Sequence, residues 1–491
     1  MKTLYFLRLA AAFAAVPALA GPVAAQPPEA GLLNALSLIS GGLLVPQDHP
    51  PQVTHDGNQY HVRVPLPVLA APPNAAIDIL ASPLSNGAWD ITSLTLPPTG
   101  SFAIQGRDPA PAAAMTFAVG QQAFHGTIDP SLTVPSPFKA ELGRITLRTE
   151  APEQRMDQTI ERYAAEGTFS GDAEKHLNVR ALASLANWLI TGSGDKPGAT
   201  FKASIRSVSV RYDVDGLDRA RAERLRIAAQ TLSADRRDAM AAAPAGALPE
   251  LTPAAMTQIT AIFDALAGLM TRVNLDETIQ GVHFEDNSAD TVDIGKIQLG
   301  LAGDARDGRL TAYFDIGVSD PVASVVPMEY ASYMPRRLVV RPALAGVRTD
   351  ALLQLLRDGA SDDDNLMALQ SRAVALLNEP GARAGIETLL IESGPLHVEG
   401  SARIRPQPNG SLGFDVHLVA RGLDAMINTL QRDPQAMQVL PMVFMVKGMA
   451  RPQGENLVWD IAYNGGPVMV NGMPFGQPQP APPSRRSPNR R

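Results

Sequence analysis

Residues 297–316, IQLGLAGDARDGRLTAYFDI, carry the reading that decides the fold. Ile297, Leu299 and Leu301 alternate with polar or small residues, Asp307-Gly308 interrupts, and Leu310, Ala312, Phe314 and Ile316 resume the alternation. Period two is the pattern of a half-buried strand, and an Asp-Gly pair between two such runs supplies the positive φ that a hairpin turn needs. The stretch therefore predicts two antiparallel strands that share one apolar face.

The same grammar recurs outward in both directions. Asp56-Gly57 precedes the alternating Tyr60, Val62, Val64 and Leu66; Asn409-Gly410 precedes Leu412, Phe414, Val416 and Leu418; Asn464-Gly465-Gly466 follows Leu457, Trp459, Ile461 and Tyr463. Short turns join strands antiparallel, so the fold class expected is α+β and β-dominated: a long curved antiparallel sheet built of meanders, with a few packing or crossing helices.

Helices interrupt this pattern. An amphipathic one is expected over about Leu32 to Leu44. Thr252 reads as an N-cap with Pro253 at the first helical position, and Met256, Ile259, Phe263, Leu266 and Met270 would line one buried face. Another helix is expected from near Ser361 to Asn378, with Asp362, Asp363 and Asp364 compensating the dipole of its first turn rather than forming a calcium loop, whose spaced oxygen ligands are missing.

An internal echo links strands to helices. Val208 to Asp218 runs through Gly216-Leu217-Asp218 into a charged helix, Arg219 to Leu232; Phe414 to Asp424 runs through Gly422-Leu423-Asp424 into a helix from Ala425 to Leu430. A looser copy runs from Leu338 through Gly346-Val347 and Thr349-Asp350 into Ala351 to Leu356. In each, the Gly is expected to turn the chain and the Asp or Thr to cap the helix. The resulting layout is a signal peptide at 1–25, an N-terminal β-rich region at 26–215, a mainly helical segment at 216–275, a C-terminal β-rich region with helices at 276–476, and a disordered Pro/Arg-rich tail at 477–491.

Composition narrows the functional classes. The 491 residues are 45% hydrophobic and include no Cys, which excludes thiol nucleophiles, iron–sulfur ligation, disulfide frameworks, zinc ribbons and lipid attachment through an N-terminal Cys. Lys2 and Arg8 precede the apolar run Leu9 to Val16, Pro17 breaks it, and Val23-Ala24-Ala25 offers the small residues of a cleavage site after Ala25, so export to the periplasm is expected. No stretch is apolar and long enough to span a bilayer as a helix. Residues 26–473 carry 36 basic against 49 acidic residues, which argues against nucleic acid as a partner. The tail differs: Arg485, Arg486, Arg490 and Arg491 stand there without an acid, a solvated terminus in the plainest reading and otherwise an attraction to an anionic envelope surface.

Motifs for chemistry are sparse, and no catalytic, cofactor-binding or metal residue is nominated. The eight His, at 49, 55, 61, 125, 176, 283, 397 and 417, show no metal-ligand spacing, and neither a Gly-x-Ser-x-Gly elbow nor a phosphate-binding Gly loop occurs. Ser136-Pro137-Phe138-Lys139 matches Ser-x-x-Lys formally but lacks its companion motifs. Seven of the 16 Met lie at 426, 437, 442, 445, 449, 469 and 473, interleaved with Leu440, Val443, Phe444 and Val446. Core filling is the reading these neighbours favour, followed by an apolar ligand groove and then by soft-ligand copper binding.

The order of segments after Ala382 adds a family resemblance. Ile386 to Ile391, Gly394 to Ala402, the Asn409-Gly410 turn, the Gly422-Leu423-Asp424 junction and Val468 to Pro474 follow one another in an order that is similar to exported alphaproteobacterial proteins of domain-of-unknown-function family 2125. More remotely it resembles the AsmA-like envelope proteins. The resemblance covers the C-terminal third and, loosely, Tyr60 to Leu66, and its motifs are turns and strand ends. It implies an envelope address and a long β-sheet, and no site residue. The function expected is a non-catalytic periplasmic protein that binds a lipid or another apolar ligand or organises the envelope; the alternative is an envelope hydrolase, for which Ser136 and Lys139 are the only nominable pair.

Overall fold

The computed structural model describes residues 32–33, 50–66, 72, 74–104, 113–129, 135–151, 154–172, 176–193, 199–242, 251–288, 290–327, 331–361, 366–407, 410–432, 438 and 440–475. The expected signal peptide, the Pro/Arg-rich tail, Met437 and most of the helix expected over Leu32 to Leu44 lie outside these residues; Leu32 and Leu33 are helical.

The described strands form one antiparallel sheet. Its N-terminal part comprises β1 (Gln52–Asp56), β2 (Gln59–Pro65), β3 (Ala76–Pro83), β4 (Trp89–Thr95) and β5 (Thr99–Ile104). Longer strands follow: β6 (Ala113–Ile128), β7 (Pro135–Ala151), β8 (Gln154–Asp172), β9 (His176–Ser193) and β10 (Thr200–Asp218). After a helical excursion come β11 (Arg272–Asp286), β12 (Thr291–Asp304), β13 (Arg309–Ala323) and β14 (Arg337–Arg348), then, after another, β15 (Arg383–Ser393), β16 (Leu396–Pro406) and β17 (Leu412–Arg421). The sheet closes with β18 (Arg451–Gln453), β19 (Asn456–Tyr463), β20 (Met469–Val470) and β21 (Met473–Pro474).

Nearly every strand pairs with its successor in sequence, the long antiparallel meander that the turn signals imply. Two short strands depart from this: β5 shares one edge of β6 with β4, and β18 shares one edge of β19 with β20. Around residues 297–316, β12 pairs with β13 from Val292↔Ala323 to Asp304↔Thr311, and Asp307 and Gly308 take φ values of 56° and 69°.

Six helices stand among the described residues: α1 (Arg219–Ala242), α2 (Pro253–Leu266), α3 (Thr349–Ser361), α4 (Leu366–Leu377), α5 (Leu423–Leu430) and α6 (Leu440–Gly448). The α1–α2 pair is inserted between β10 and β11, which nevertheless pair from Phe201↔Asp286 to Asp215↔Arg272, so the sheet runs on beneath it. Thr252 caps α2 as expected, its hydroxyl accepting from the Ala255 amide at 3.0 Å. The buried residues of α2 are Ala255 and Ala265; the helix stops before Met270, and Leu266 is exposed, because α2 packs through small residues. Of the helix expected from near Ser361 to Asn378, Leu366–Leu377 is helical as α4, and residues 362–365, with the acidic run 362–364, lie outside the described residues.

All three glycines of the echo have positive φ, 64° at Gly216, 65° at Gly346 and 79° at Gly422, but they do different work. Gly216 lies within β10, where the pairing with β9 slips between Val214 and Leu217, and Gly346 lies within β14. Asp218 then caps α1, its carboxylate accepting from the Arg221 amide at 2.9 Å. At the third copy the expected cap is wrong. Gly422 is itself the N-cap of α5, while Asp424 sits in the first helical turn and pairs with Lys447. The expected Thr349 cap is also not made: its hydroxyl is buried without a hydrogen-bond partner.

A crease that periodicity does not announce crosses the long strands. In each of eight consecutive strands, β6 to β13, one residue drops out of the ladder at the same height: Gly120, Arg144, Glu161, Asn187, Arg206, Gly281, Gly295 and Asp320. On every second strand that residue has positive φ, namely Arg144, Asn187, Gly281 and Asp320. An extra residue in one strand forms a bulge that bends it and shifts register. Here every strand carries one, so the register survives while all the strands bend together. The apolar alternation steps by three across the crease, as from Ile205 to Val208 and from Ile294 to Ile297.

Candidate functional site

Register places the apolar residues of successive strands side by side on one face. One row of paired residues runs Leu142, Tyr163, Leu185, Val208, Ile279, Ile297 and continues through Val318, Leu338, Ile391, Val398, Ala420 and Leu457. Parallel rows flank it, such as Ile205, Val282, Ile294 and Pro321 above and Leu299, Ile316, Val340 and Leu389 below. At about 4.8 Å per strand, the row extends for about 50 Å.

The reverse face is polar. Arg180 reaches Asp215 at 2.5 Å and Asp213 at 3.3 Å, Arg341 reaches Asp315 at 2.5 Å, and Arg162 reaches Glu141 at 3.0 Å. Such exposed pairs add little stability each, but they hold this face in water and leave the other face for apolar contact. Five of the His are also placed there or along the strand edges beside carboxylates: His61 by Asp78, His125 by Asp90, His283 by Asp293, His397 by Glu392 and His417 by Asp460. The hydrogen bond from His417 and the nearby Arg451 guanidinium hold the Asp460 carboxyl below its ordinary range. No cluster of three or more metal-ligating side chains occurs among the described residues.

Helices cover the apolar face at its two ends. Because β10 and β14 run in the same direction, the helices that follow them lie at one end, where α1 through α4 form a band tied by Arg357 to Asp264 and Arg372 to Asp358. Ala222 and Leu225 of α1 pack there against the buried cluster that includes Leu217 and Leu269. Since β17 runs the opposite way, α5 and α6 cap the other end, packing on Ala420 and Trp459. Between the caps, among the described residues, the centre is open: Leu299, Phe314 and Ile316, on β12 and β13, are 39%, 51% and 44% exposed. Adjacent exposed apolar side chains on a regular sheet mark a binding surface more often than isolated ones do.

Polar groups on this face are few. Gln158 is buried and accepts from the Trp188 indole at 3.3 Å. Glu277 is paired with Val210 on one side and Leu299 on the other, a carboxyl set among hydrocarbon at the border of the open area. Burial pushes its carboxyl above the ordinary range. Burial likewise raises the Tyr212 phenol, with the Glu277 charge adding to it, and pushes Tyr163 up to about 12. The face thus offers an extended apolar bed with the Glu277 carboxyl at its border, which suits holding an amphiphile more than turning over a bond.

The nominable hydrolase pair does not assemble. Ser136 lies on β7, where its hydroxyl donates to the Phe169 carbonyl at 2.7 Å and accepts from the Phe169 amide at 2.8 Å. Lys139 lies opposite Glu166 on an exposed register and pairs with Glu141 at 3.4 Å. Ser-x-x-Lys chemistry places both groups on one helix turn, and a strand cannot do so. The methionines divide: Met426 and Met449 pack into the C-terminal core, whereas Met442, Met445 and Met473 are exposed, which corrects core filling as a single account of the cluster.

The sequence leads us to expect an apolar sheet face for a ligand, but neither the place of its open centre nor Glu277, because both depend on which strands become neighbours. The signal was present in Glu277 itself, a lone acid in an otherwise apolar register. Comparison with protein-family models, with curated proteins and with solved structures finds no match, which leaves the resemblance to family 2125 neither supported nor opposed.

Proposed function

We propose that this is an exported, non-catalytic protein of the periplasm that binds lipid-like ligands along the open centre of its apolar face. The observation that carries the reading is the exposure of Leu299, Phe314 and Ile316 beside the apolar row that runs from Leu142 through Ile297 and Val318 to Leu457. A sheet whose strands are paired with their neighbours offers hydrocarbon to an acyl chain while most backbone groups are hydrogen-bonded within the ladder. The periplasmic address is supported by the first 25 residues of the sequence. Lipid extraction and native mass spectrometry of protein purified from the periplasm test the reading. Stoichiometric amphiphile is the result expected; repeated recovery without any, together with no binding of a fluorescent fatty acid, contradicts it.

A further inference from the structure

We propose that α6 and the β20–β21 hairpin form a wedge that seats the protein on an anionic lipid bilayer, the four arginines of residues 485–491 supplying the electrostatic half of the attachment. The wedge uses residues other than the open sheet centre and stands or falls separately from the ligand reading.

The sequence of α6, LPMVFMVKG, contains one polar side chain, Lys447, and that is drawn aside to Asp424. A helix that is apolar all round belongs where apolar surroundings meet both of its sides. Here only one side is met: Leu440 and Val443 face the C-terminal core, while Met442, Phe444, Met445 and Val446 are exposed, Met442 by 65%.

The exposed side is held on a firm frame. The Trp459 indole donates to the Val446 carbonyl at 2.8 Å, and the Asn471 amide, at the tip of the β20–β21 hairpin, donates to the carbonyls of Met449 at 2.7 Å and Val458 at 2.9 Å. The hairpin, tied to the end of α6 through Asn471, adds exposed Met473 and Phe475.

Charge selects the occupant. Beyond Phe475 the chain contains four Arg and no acid, and the first of them is ten residues on, within an extended reach of about 35 Å. Residues 26–473, in contrast, carry 36 basic against 49 acidic residues, so an anionic surface repels the body and attracts this end. An apolar wedge plus a basic segment is the two-part attachment that stable peripheral binding to anionic lipid requires.

Flotation of the purified mature chain with phosphatidylglycerol/phosphatidylethanolamine vesicles, and with phosphatidylcholine vesicles, tests the proposal. The wild type is expected to float with the anionic vesicles, less so with the neutral ones, and less with added salt. Combined Met442→Ser and Met445→Ser, and separately Arg→Gln at 485, 486, 490 and 491, should each weaken anionic binding about tenfold or more. These positions are exposed or tail residues, so unchanged melting of the variants shows that binding, not folding, is lost. The proposal is overturned if the wild type does not float or the Met variant floats as well as the wild type. It is overturned too if the arginine variant is unaffected, or if sedimentation shows that the apolar patch instead joins two copies of the chain.

Discussion

Arg206 on β10 lies across Gly281 on β11, so close that a Cβ added at Gly281 would stand 3.0 Å from the Arg206 Cβ. The same relationship recurs along the crease, where a Cβ at Gly120 would meet the Arg144 Cβ at 3.2 Å and one at Gly295 would meet the Asp320 Cβ at 3.1 Å. In three of the four pairs along the crease one strand thus gives up its side chain to make room for its neighbour's; in the fourth, the Asn187 amide donates to the Glu161 carboxylate instead. Gly281 also carries a φ of 62°, which a β-branched residue resists.

Gly281→Val should therefore cost about 1–3 kcal/mol, read as a lower midpoint in thermal melts. Gly317→Ala on β13, away from the crease and without positive φ, is the control and should cost less.

The strand-to-helix junctions should rank by what each added side chain would strike. At Gly422 a Cβ would fall 1.8 Å from the Pro395 carbonyl oxygen, which is backbone; at Gly216 it would fall 2.6 Å from the Thr271 hydroxyl, which is side chain. Gly422→Val should lower the melting midpoint more than Gly216→Val, and both should exceed about 1 kcal/mol. Asp424→Ala, where no cap is lost, should cost less than about 0.5 kcal/mol.

Glu277 should make stability fall as pH rises. Burial raises its carboxyl in the folded state, so between the unfolded and folded values the native chain holds a proton that the unfolded chain has lost. The carboxyl then opposes folding above that window and ceases to do so below it. Glu277→Gln should raise the melting midpoint by about 1 °C at neutral pH and leave it unchanged near pH 4. Melts across pH check both ends.

Ser136 should prove structural. Ser136→Ala removes both hydrogen bonds to the Phe169 backbone and should cost about 1–2 kcal/mol. Fluorophosphonate or β-lactam probes should label wild type and variant alike, at background. Labelling that depends on Ser136 would restore the hydrolase alternative.

The strands were legible because alternation and turn chemistry act locally: Asp307-Gly308 adopts the positive φ that its residue types favour, and the flanking runs pair as their period implies. The crease was not, because a single step of three, as from Ile294 to Ile297, looks like a lapse in one strand and acquires meaning only when seven neighbours repeat it at one height. Asp424 misled because an Asp after Gly reads as a cap, yet Gly422 reaches the capping position first and puts Asp424 into the helix. The exposed side of α6 was hidden for a further reason: Met among Leu, Val and Phe spells a core until the number of neighbours is known.

The central claim is that the open centre of the apolar face is a binding surface, and Ile316 on β13 tests it most directly. Ile316 is 44% exposed, so Ile316→Asp places a charge in the ligand bed with little loss of buried packing. Titration of a fluorescent fatty acid into the purified protein should give saturable binding to the wild type and binding weakened about tenfold or more by Ile316→Asp. Ser319→Asp, on the polar face, should bind as the wild type does. Equal binding by wild type and Ile316→Asp, with equal melting, would contradict the account.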